Sequence, residues 1–210
     1  MPGLAASSLI FEFIELPKDK FKIHLLDWMM PIEKESLESY SLRMTLKIEH
    51  KNPVLVGVSF GGVLVQEMSK HIQVKKLIII SSVKSFNELP KKMYLARRFK
   101  AYKLLPTGLI SNFSKVSKYT FGDQIDKRVR LYERYLSMNN RKYLDWAIKN
   151  MLCWNQNDVI SGIIHIHGDN DPVFPISTIS DCIIIKGGTH IMIINKFKWF
   201  NENLPRLILE

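Results

Sequence analysis

The stretch NPVLVGVSFGGVLVQEMSKHI, residues 52–72, contains the pattern that decides the fold. Its first part, PVLVGVS, is a nearly continuous apolar run, which is typical of a strand buried on both faces of a sheet. The part that follows, GGVLVQEMSKHI, has the periodicity of a helix. Between them Gly57, Ser59 and Gly61 match the pattern G-x-S-x-G. This pattern predicts a tight turn that projects the serine hydroxyl from the end of a strand.

Two explanations of this turn compete. A Gly-rich phosphate loop or a simple packing turn would also place glycines here. A nucleophile turn needs Gly57 and Gly61 because a side chain at either position would clash with the neighbouring elements. It also directs the N–H of Phe60, at the start of the helix, towards an anion that forms near Ser59. We favour the nucleophile turn because a strand pattern precedes it and a helix pattern follows it.

Further apolar runs alternate with helical patterns on both sides of this stretch. Besides the strand at 53–59, we predict strands at 21–28, 75–83, 162–169 and 181–188. We predict helices at 32–50 and 61–72, and from 195 to the residue before Pro205. The alternation predicts an α/β fold whose mostly parallel sheet is flanked by helices.

The segment 84–155 interrupts this alternation. Its three helical patterns lie at 93–105, 126–140 and 141–154, and it contains no convincing strand. We therefore predict a core formed by 1–83 and 156–210, with 84–155 inserted as an all-helical cap. A chain of 210 residues is long enough for one such domain.

The excess of positive charge is concentrated in the predicted cap. The net charge is +10, and residues 84–155 hold 16 Lys and Arg against 5 Asp and Glu. This excess could attract an acidic substrate, a lipid headgroup or nucleic acid, although a solvated helical surface is the simpler explanation. We expect no nucleic-acid partner because the lysines are spread out and no nucleic-acid motif is present.

Other features of the sequence predict a cytoplasmic protein. No apolar run reaches the ~18 residues of a membrane span, and the N-terminus lacks a basic start and carries Glu12, so we expect no signal peptide. Cys153 and Cys182 form no disulfide framework and are expected to be free thiols. No His/Cys cluster has metal-ligand spacing, so we expect neither a metal nor an organic cofactor.

A serine hydroxyl needs a base, and the base needs an acid that orients it. The sequence HIHGDNDPVFP follows the strand at 162–169, and GGTHIM follows the strand at 181–188. Their polar residues should reach the sheet edge that carries Ser59. Asp169 and Asp171 compete as the acid, and we favour Asp171 because it precedes Pro172 in an extended loop.

His190 is the favoured base among six histidines because it alone follows a Gly-Gly turn after the last strand. We predict structural roles for His24 and His165 within strands. His167 could order the acid loop through a hydrogen bond to the backbone. The other two, His50 and His71, lie near predicted helix ends.

With the motifs GVSFGG, IHGDNDPVFP and GGTH in this order, the chain resembles the α/β-hydrolase superfamily, specifically a serine hydrolase with a small helical cap. The resemblance implies Ser59 as nucleophile, Asp171 as acid and His190 as base. It also implies that MPGLAAS is the oxyanion loop, in which Leu4 supplies one backbone N–H and Phe60 the other. Pro2 stands where this family often has histidine.

Two departures from the family pattern bear on the site. The strand that normally leads into the oxyanion loop is missing, so the first strands are absent or shortened and we expect the loop at 2–5 to be weakly anchored. Only 19 residues separate Asp171 from His190. We therefore expect the helix of that connection to be a single turn at PISTIS.

The resemblance implies hydrolysis of a carboxylic ester through an acyl-enzyme, with a thioester, lactone or amide as further options. A serine nucleophile disfavours the dehalogenases and epoxide hydrolases of this fold, which use aspartate. Lyase or C–C hydrolase chemistry stays open, as does an inactive protein of this fold. The substrate is expected to be a small acyl compound. An anionic compound is one option because the predicted cap is basic. The cap residues that could line an acyl pocket, or simply pack against the core, are Met93, Tyr94, Phe99, Tyr102, Phe113, Trp146 and Trp154.

Overall fold

A single parallel sheet organises the chain. The computed structural model describes residues 1–105, 107 and 134–210. Its four strands are β1 (Val54–Val58), β2 (Lys76–Ile80), β3 (Ile164–Gly168) and β4 (Ile183–Ile185), adjacent in that order. The register pairs Gly57 with Ile79, and Ile79 with His165. Because every pair is parallel, the carboxyl ends of all four strands meet at one edge of the sheet.

Helices cover both faces of this sheet. They are α1 (Leu37–Thr45), α2 (Phe60–Met68), α3 (Lys91–Arg98), α4 (Arg141–Cys153), α5 (Met192–Asn195) and α6 (Phe197–Leu209). Short 3-10 turns lie at Ser8–Phe11, Phe86–Glu88, Ala101–Leu104 and Ile176–Thr178. No helix of the described residues is both long and apolar enough to cross a membrane.

The residues of β2 alternate between two apolar clusters. Leu77 and Ile79 belong to the cluster that contains residues of α1, α2 and α4. Ile78 and Ile80 belong to the cluster that contains residues of α5 and α6. Because successive side chains of a strand point to opposite faces, these two clusters are the two sides of the sheet. The predicted α/β architecture is therefore confirmed.

The last helix of the predicted cap is part of the first cluster. Tyr143, Leu144 and Ala147 of α4 are fully buried together with residues of α1 and α2. The helical prediction for 141–154 is thus confirmed, and the one for 93–105 corresponds to α3 and the turn at Ala101–Leu104. The helix predicted at 126–140 lies mostly outside the described residues. The boundary between core and cap stays a prediction.

Two predictions near the N-terminus were wrong. Residues 21–28 form neither a strand nor a helix and pair with no strand of the described chain, and Ile23 and Leu25 are exposed. An apolar–polar alternation makes a strand only where a neighbour supplies the ladder of hydrogen bonds. The helix predicted at 32–50 is shorter and begins after Ser36, whose Oγ accepts a hydrogen bond from the N–H of Ser39 over 3.0 Å. Such a cap fixes a helix start.

The C-terminal helix extends beyond the predicted end. It runs through Pro205 to Leu209 instead of stopping before the proline. Phe200, Leu204 and Ile208, four residues apart, bury one face of α6 against the sheet. This burial offsets the backbone hydrogen bond that Pro205 cannot donate.

Replacing Gly57 by alanine should destabilise the fold strongly. A Cβ at this position would lie 2.3 Å from the carbonyl oxygen of Gly61 and 2.7 Å from the amide nitrogen of Gly62, so backbone would have to move. We expect the free energy of unfolding to fall by about 3 kcal/mol, at the top of the range for overpacking. Urea unfolding followed by circular dichroism measures it.

Gly162→Ala is the matched control. Gly162 has a φ of +74°, and a Cβ there would meet no atom within 4 Å. Only backbone strain, about 1 kcal/mol, should result. Equal destabilisation by the two substitutions would contradict the packing argument for Gly57.

Candidate active site

Ser59 sits in a strained turn between β1 and α2. Its φ of 54° and ψ of −122° lie outside the regions that residues other than glycine readily adopt. Hydrogen bonds fix this geometry, because the Ser59 N–H donates to the carbonyl oxygen of Ile80 over 2.9 Å and the Ser82 hydroxyl donates to that of Ser59 over 2.7 Å. The end of β2 thus supports the turn, and the turn raises the Ser59 hydroxyl at the carboxyl edge of the sheet.

Asp171 lies three residues beyond β3 and is 4% exposed. Its Oδ1 accepts hydrogen bonds from the N–H groups of Val173 at 2.8 Å and Phe174 at 3.0 Å, and its Oδ2 lies 2.8 Å from Nδ1 of His190. Burial by itself raises the pKa of this carboxyl. The hydrogen bond and charge of His190, with the two N–H groups, outweigh burial and place the pKa of Asp171 below its usual value.

His190 follows β4 and joins the other two residues. Its Nδ1 lies 2.8 Å from Asp171 Oδ2, and its Nε2 lies 2.9 Å from the Ser59 hydroxyl oxygen. An ionised carboxylate can only accept a hydrogen bond, so Nδ1 carries the proton and donates it. Nε2 of the neutral ring is then free to accept the proton of the Ser59 hydroxyl. The structure therefore brings the three predicted residues together in the order serine, histidine, aspartate.

The other acidic residue of the loop has a different contact. Asp169 Oδ1 accepts a hydrogen bond from the N–H of Gly187 over 2.6 Å and so links the acid loop to the turn before His190. His24, predicted to be structural within a strand, is instead exposed in the segment 21–28, with its ring centroid 4.6 Å from that of His50. That prediction was wrong because residues 21–28 have no strand partner.

Two buried histidines of β3 support the acid loop. Nε2 of His167 lies 2.8 Å from the carbonyl oxygen of Phe174, so this nitrogen carries a proton and donates it. The same nitrogen is 3.6 Å from Asp171 Oδ2. Nδ1 of His167 lies 3.2 Å from Nε2 of His165, so a hydrogen bond joins the two rings. His167 makes the backbone hydrogen bond that its position suggested.

A buried ion pair holds the connection between Asp171 and His190. Nζ of Lys84 donates to the carbonyl oxygens of Ser180 at 2.6 Å and Asp181 at 3.2 Å, and lies 3.7 Å from Oε1 of Glu88. Oε1 of Glu88 accepts from both the N–H and the hydroxyl of Ser180. Because each charge is paired and hydrogen-bonded, its burial is tolerated. The start of the predicted cap is thereby tied to the Asp171–His190 connection.

The predicted oxyanion loop lies directly against the serine. A Cβ added to Gly3 would be 3.4 Å from Cβ and 4.0 Å from Oγ of Ser59. The chain turns at Ala5, whose φ is 63°. Gly3 therefore lies beside the serine, and Leu4 follows it in the chain segment that the sequence indicated.

This loop is firmly held, and the prediction of weak anchoring was wrong. The N–H groups of Ser137 and Met138 each donate to the carbonyl oxygen of Ala5 over 3.1 Å. The N–H of Ala5 donates to the hydroxyl oxygen of Tyr143 in α4 over 3.3 Å. A segment more than 130 residues away along the chain thus supplies the anchor.

The first residue and one tryptophan complete the anchoring. The amino group of Met1 donates to the carbonyl oxygen of Val56 over 2.7 Å, and the N–H of Val58 donates to that of Met1 over 3.0 Å. Nε1 of Trp28 donates to the carbonyl oxygen of Gly3 over 2.8 Å. Sequence reasoning missed Trp28 and Tyr143, because no local pattern marks either residue.

The residues proposed for an acyl pocket fall into different environments. Trp146 and Trp154 are buried, and their indole N–H groups donate to the carbonyl oxygen of Glu35 and to Oε1 of Glu67. Tyr94 and Phe99 are exposed. The remaining candidates are partly buried Met93 and Tyr102, and Phe113, which lies outside the described residues. Packing against the core thus accounts for both tryptophans.

Among residues 1–105, 107 and 134–210, no group of three or more His, Cys, Asp or Glu side chains is arranged to hold a metal ion.

The fold resembles that of several solved structures. A hydrolase from Oleispira antarctica superposes with a TM-score of 0.69 at 12% identity, over 100% of this chain and 89% of that one. A thermophilic esterase from Thermogutta terrifontis gives 0.63 at 16% identity, over 98% and 88%. A bromoperoxidase from Bacillus anthracis gives 0.62 at 17% identity, over 100% and 92%. The chain therefore has the α/β-hydrolase fold.

Comparisons of sequence give no further relatives. No protein-family model matches the chain, and no functionally curated protein matches it.

The buried side chain of His165 should make stability depend on pH. Burial, and then the charges of His167 and Lys84, lower the pKa of His165 to about 3. In the unfolded chain the pKa of histidine is about 6.5. Between these values the unfolded state binds a proton that the folded state lacks, so stability falls as pH falls. The slope contributed by His165 is up to about 1.4 kcal/mol per pH unit.

His165→Gln should remove this contribution. Urea unfolding of both proteins at pH 7, 6 and 5 gives the difference between their slopes. We expect the variant to lose less stability than wild type on acidification. Parallel curves for the two proteins would contradict a neutral, buried His165.

Proposed function

We propose that this protein is a serine hydrolase that cleaves a carboxylic ester through an acyl-enzyme on Ser59. The observation that carries the proposal is the His190 ring, which lies 2.9 Å from the Ser59 hydroxyl and 2.8 Å from Asp171. A histidine oriented by a buried carboxylate activates a serine nucleophile in this arrangement.

Formation of the acyl-enzyme starts with proton transfer to His190. As Ser59 Oγ attacks the carbonyl carbon, its proton moves to Nε2 of His190, and the substrate carbonyl oxygen becomes an oxyanion. The ionised Asp171 beside Nδ1 stabilises the imidazolium that forms. The leaving alcohol then takes the proton from Nε2 as the C–O bond breaks.

The oxyanion is proposed to bind between the N–H groups of Leu4 and Phe60. Phe60 is the first residue of α2, so its N–H belongs to the positive end of the helix dipole. Leu4 follows Gly3, which lies beside Ser59. One donor of this kind contributes about 10²–10³ in kcat in serine enzymes.

Hydrolysis of the acyl-enzyme repeats the same steps with water. Nε2 of His190 takes a proton from water as the water oxygen attacks the acyl carbon. The proton then passes to Ser59 Oγ when the acid product leaves. Three side chains and two backbone N–H groups are enough for both halves of the reaction.

An ester is the favoured substrate because an activated serine with an oxyanion hole suits acyl transfer to water. The resemblance to solved proteins described as an esterase and a hydrolase supports this choice. The basic excess of residues 84–155 makes a carboxylated ester worth comparing with a neutral one of equal acyl length. Equal and salt-independent rates would remove the anionic option.

Labelling by a fluorophosphonate tests the proposal directly. We expect covalent modification of the wild-type protein at Ser59, because the activated hydroxyl attacks phosphorus as it attacks a carbonyl carbon. The Ser59→Ala variant should take no label, and His190→Gln should label at least ~10³-fold more slowly. Peptide mass spectrometry identifies the labelled residue, and the labelling rate is measured alongside ester turnover.

Ser82→Ala is a control that removes a hydroxyl near the turn but outside the three proposed residues. Its oxygen donates to the Ser59 carbonyl, so we expect labelling to slow but to stay at Ser59. A folded wild-type protein that takes no label and hydrolyses no ester would contradict the proposed function.

A further inference from the structure

Trp28 contacts both halves of the proposed oxyanion hole. Its Nε1–H donates to the carbonyl oxygen of Gly3 over 2.8 Å. Its indole ring stacks on the ring of Phe60, with centroids 5.1 Å apart and planes inclined by 11°. The two proposed donors are the N–H of Leu4, which follows Gly3, and the N–H of Phe60. One buried side chain therefore connects two segments that are more than 50 residues apart.

The hydrogen bond to Gly3 fixes the direction of the Leu4 N–H. The Gly3 carbonyl and the Leu4 N–H belong to one peptide group, which is planar and trans, so they point in opposite directions. The N–H of Ala6 donates to the same oxygen over 3.1 Å. Glycine resists rotation of this peptide plane less than other residues do. Bonds from outside the segment are therefore needed to keep one orientation.

The stacking on Phe60 has the corresponding effect on the second donor. Phe60 is 1% exposed and begins α2 immediately after the strained Ser59. Its ring stacks on the ring of Trp28 and makes an edge-to-face contact with Trp146, whose centroid is 6.0 Å away. Stacked aromatic pairs of this geometry are favourable beyond the area they bury. The position of the Phe60 backbone relative to Gly3 is thus set through the indole of Trp28.

We propose that Trp28 is a positioning residue that aligns the N–H groups of Leu4 and Phe60 towards a common oxyanion. This inference rests on the proposed acyl-transfer function. Trp28 acts through the Gly3–Leu4 peptide and the Phe60 ring, and it does not contact the reacting atoms. Its removal should therefore affect the transition state more than the binding of the substrate.

Trp146 offers a matched comparison for this role. It is also a buried tryptophan of the same aromatic cluster, and its Nε1 donates to a backbone carbonyl oxygen, that of Glu35, over 2.8 Å. The bond of Trp146 is to the segment before α1 rather than to the oxyanion loop. Both tryptophans contact the Phe60 ring, so Trp28→Phe and Trp146→Phe remove the same N–H group and similar ring area beside it. Only the first removes the hydrogen bond to Gly3 and so loosens the loop.

The experiment measures ester turnover and inhibition by a trifluoromethyl ketone in wild type and both variants. The ketone forms a tetrahedral adduct on Ser59, so its oxygen needs the same donors as the transition state. For Trp28→Phe we expect kcat to fall ~10- to 100-fold, below the limit for complete loss of a donor, with little change in KM. The affinity for the ketone should fall by the same factor as kcat/KM. Trp146→Phe should change neither kcat nor the affinity for the ketone by more than ~3-fold.

Two results would overturn the inference. One is a Trp28→Phe variant that matches Trp146→Phe in kcat and in ketone affinity. The other is a fall in kcat while the affinity for the ketone stays unchanged. If Trp28→Phe does not fold, as circular dichroism will show, Trp28→Met gives the same comparison, because methionine fills irregular space and also lacks the donor. A folded wild type that neither turns over esters nor binds the ketone contradicts the proposed function itself, whereas an active wild type with unaffected Trp28 variants contradicts this inference alone.

Discussion

The two hydrogen bonds of the His190 ring are the interaction on which the rest of the site depends. They join a strained turn after β1 to a loop after β3, and His190 itself follows β4. Each hydrogen bond of His190 joins atoms that are less than 3 Å apart. The strands β1, β3 and β4 must therefore end at the same edge of the sheet, in the order that the structure shows. The parallel sheet supplies that edge. The close approach of Gly57 to Gly61 then allows α2 to begin directly beneath the Ser59 hydroxyl.

Support for the three residues comes from outside the strands that carry them. The Asp171 loop rests on the buried His167, and the following connection is tied to Lys84 and Glu88. The loop that contains Leu4 is tied to residues 137–143. Residues of the predicted cap therefore contact both sides of the site. This arrangement explains how the proposed oxyanion loop is ordered beside β1 without a further strand among the described residues.

Local patterns identified the three candidate residues, and long-range contacts were hidden from them. Ser59, Asp171 and His190 could be selected because each stands in a short motif at the end of an apolar run. Trp28 and Tyr143 could not, since their hydrogen bonds reach Gly3 and Ala5 across 25 and 138 residues and no spacing encodes them. The role of such residues becomes visible only when the folded chain brings the segments together.

The wrong predictions about secondary structure have the same origin, because long-range contacts decided where local patterns indicated otherwise. The alternation at 21–28 fits a strand, but a strand also needs a neighbour, and none of the described strands pairs with it. Pro205 indicates a helix end, but burial of Phe200, Leu204 and Ile208 carries α6 past it. Propensity was correct as a local preference in both cases, and tertiary packing decided the outcome.

The most direct test of the central claim is a crystal structure of the protein after reaction with a small fluorophosphonate. We expect phosphorus bonded to Ser59 Oγ, with the phosphonyl oxygen about 3 Å from the backbone nitrogens of both Leu4 and Phe60. His190 should still be hydrogen-bonded to Asp171. Phosphorus on another side chain, or a phosphonyl oxygen directed to solvent and away from Leu4, would contradict the assignment of this site.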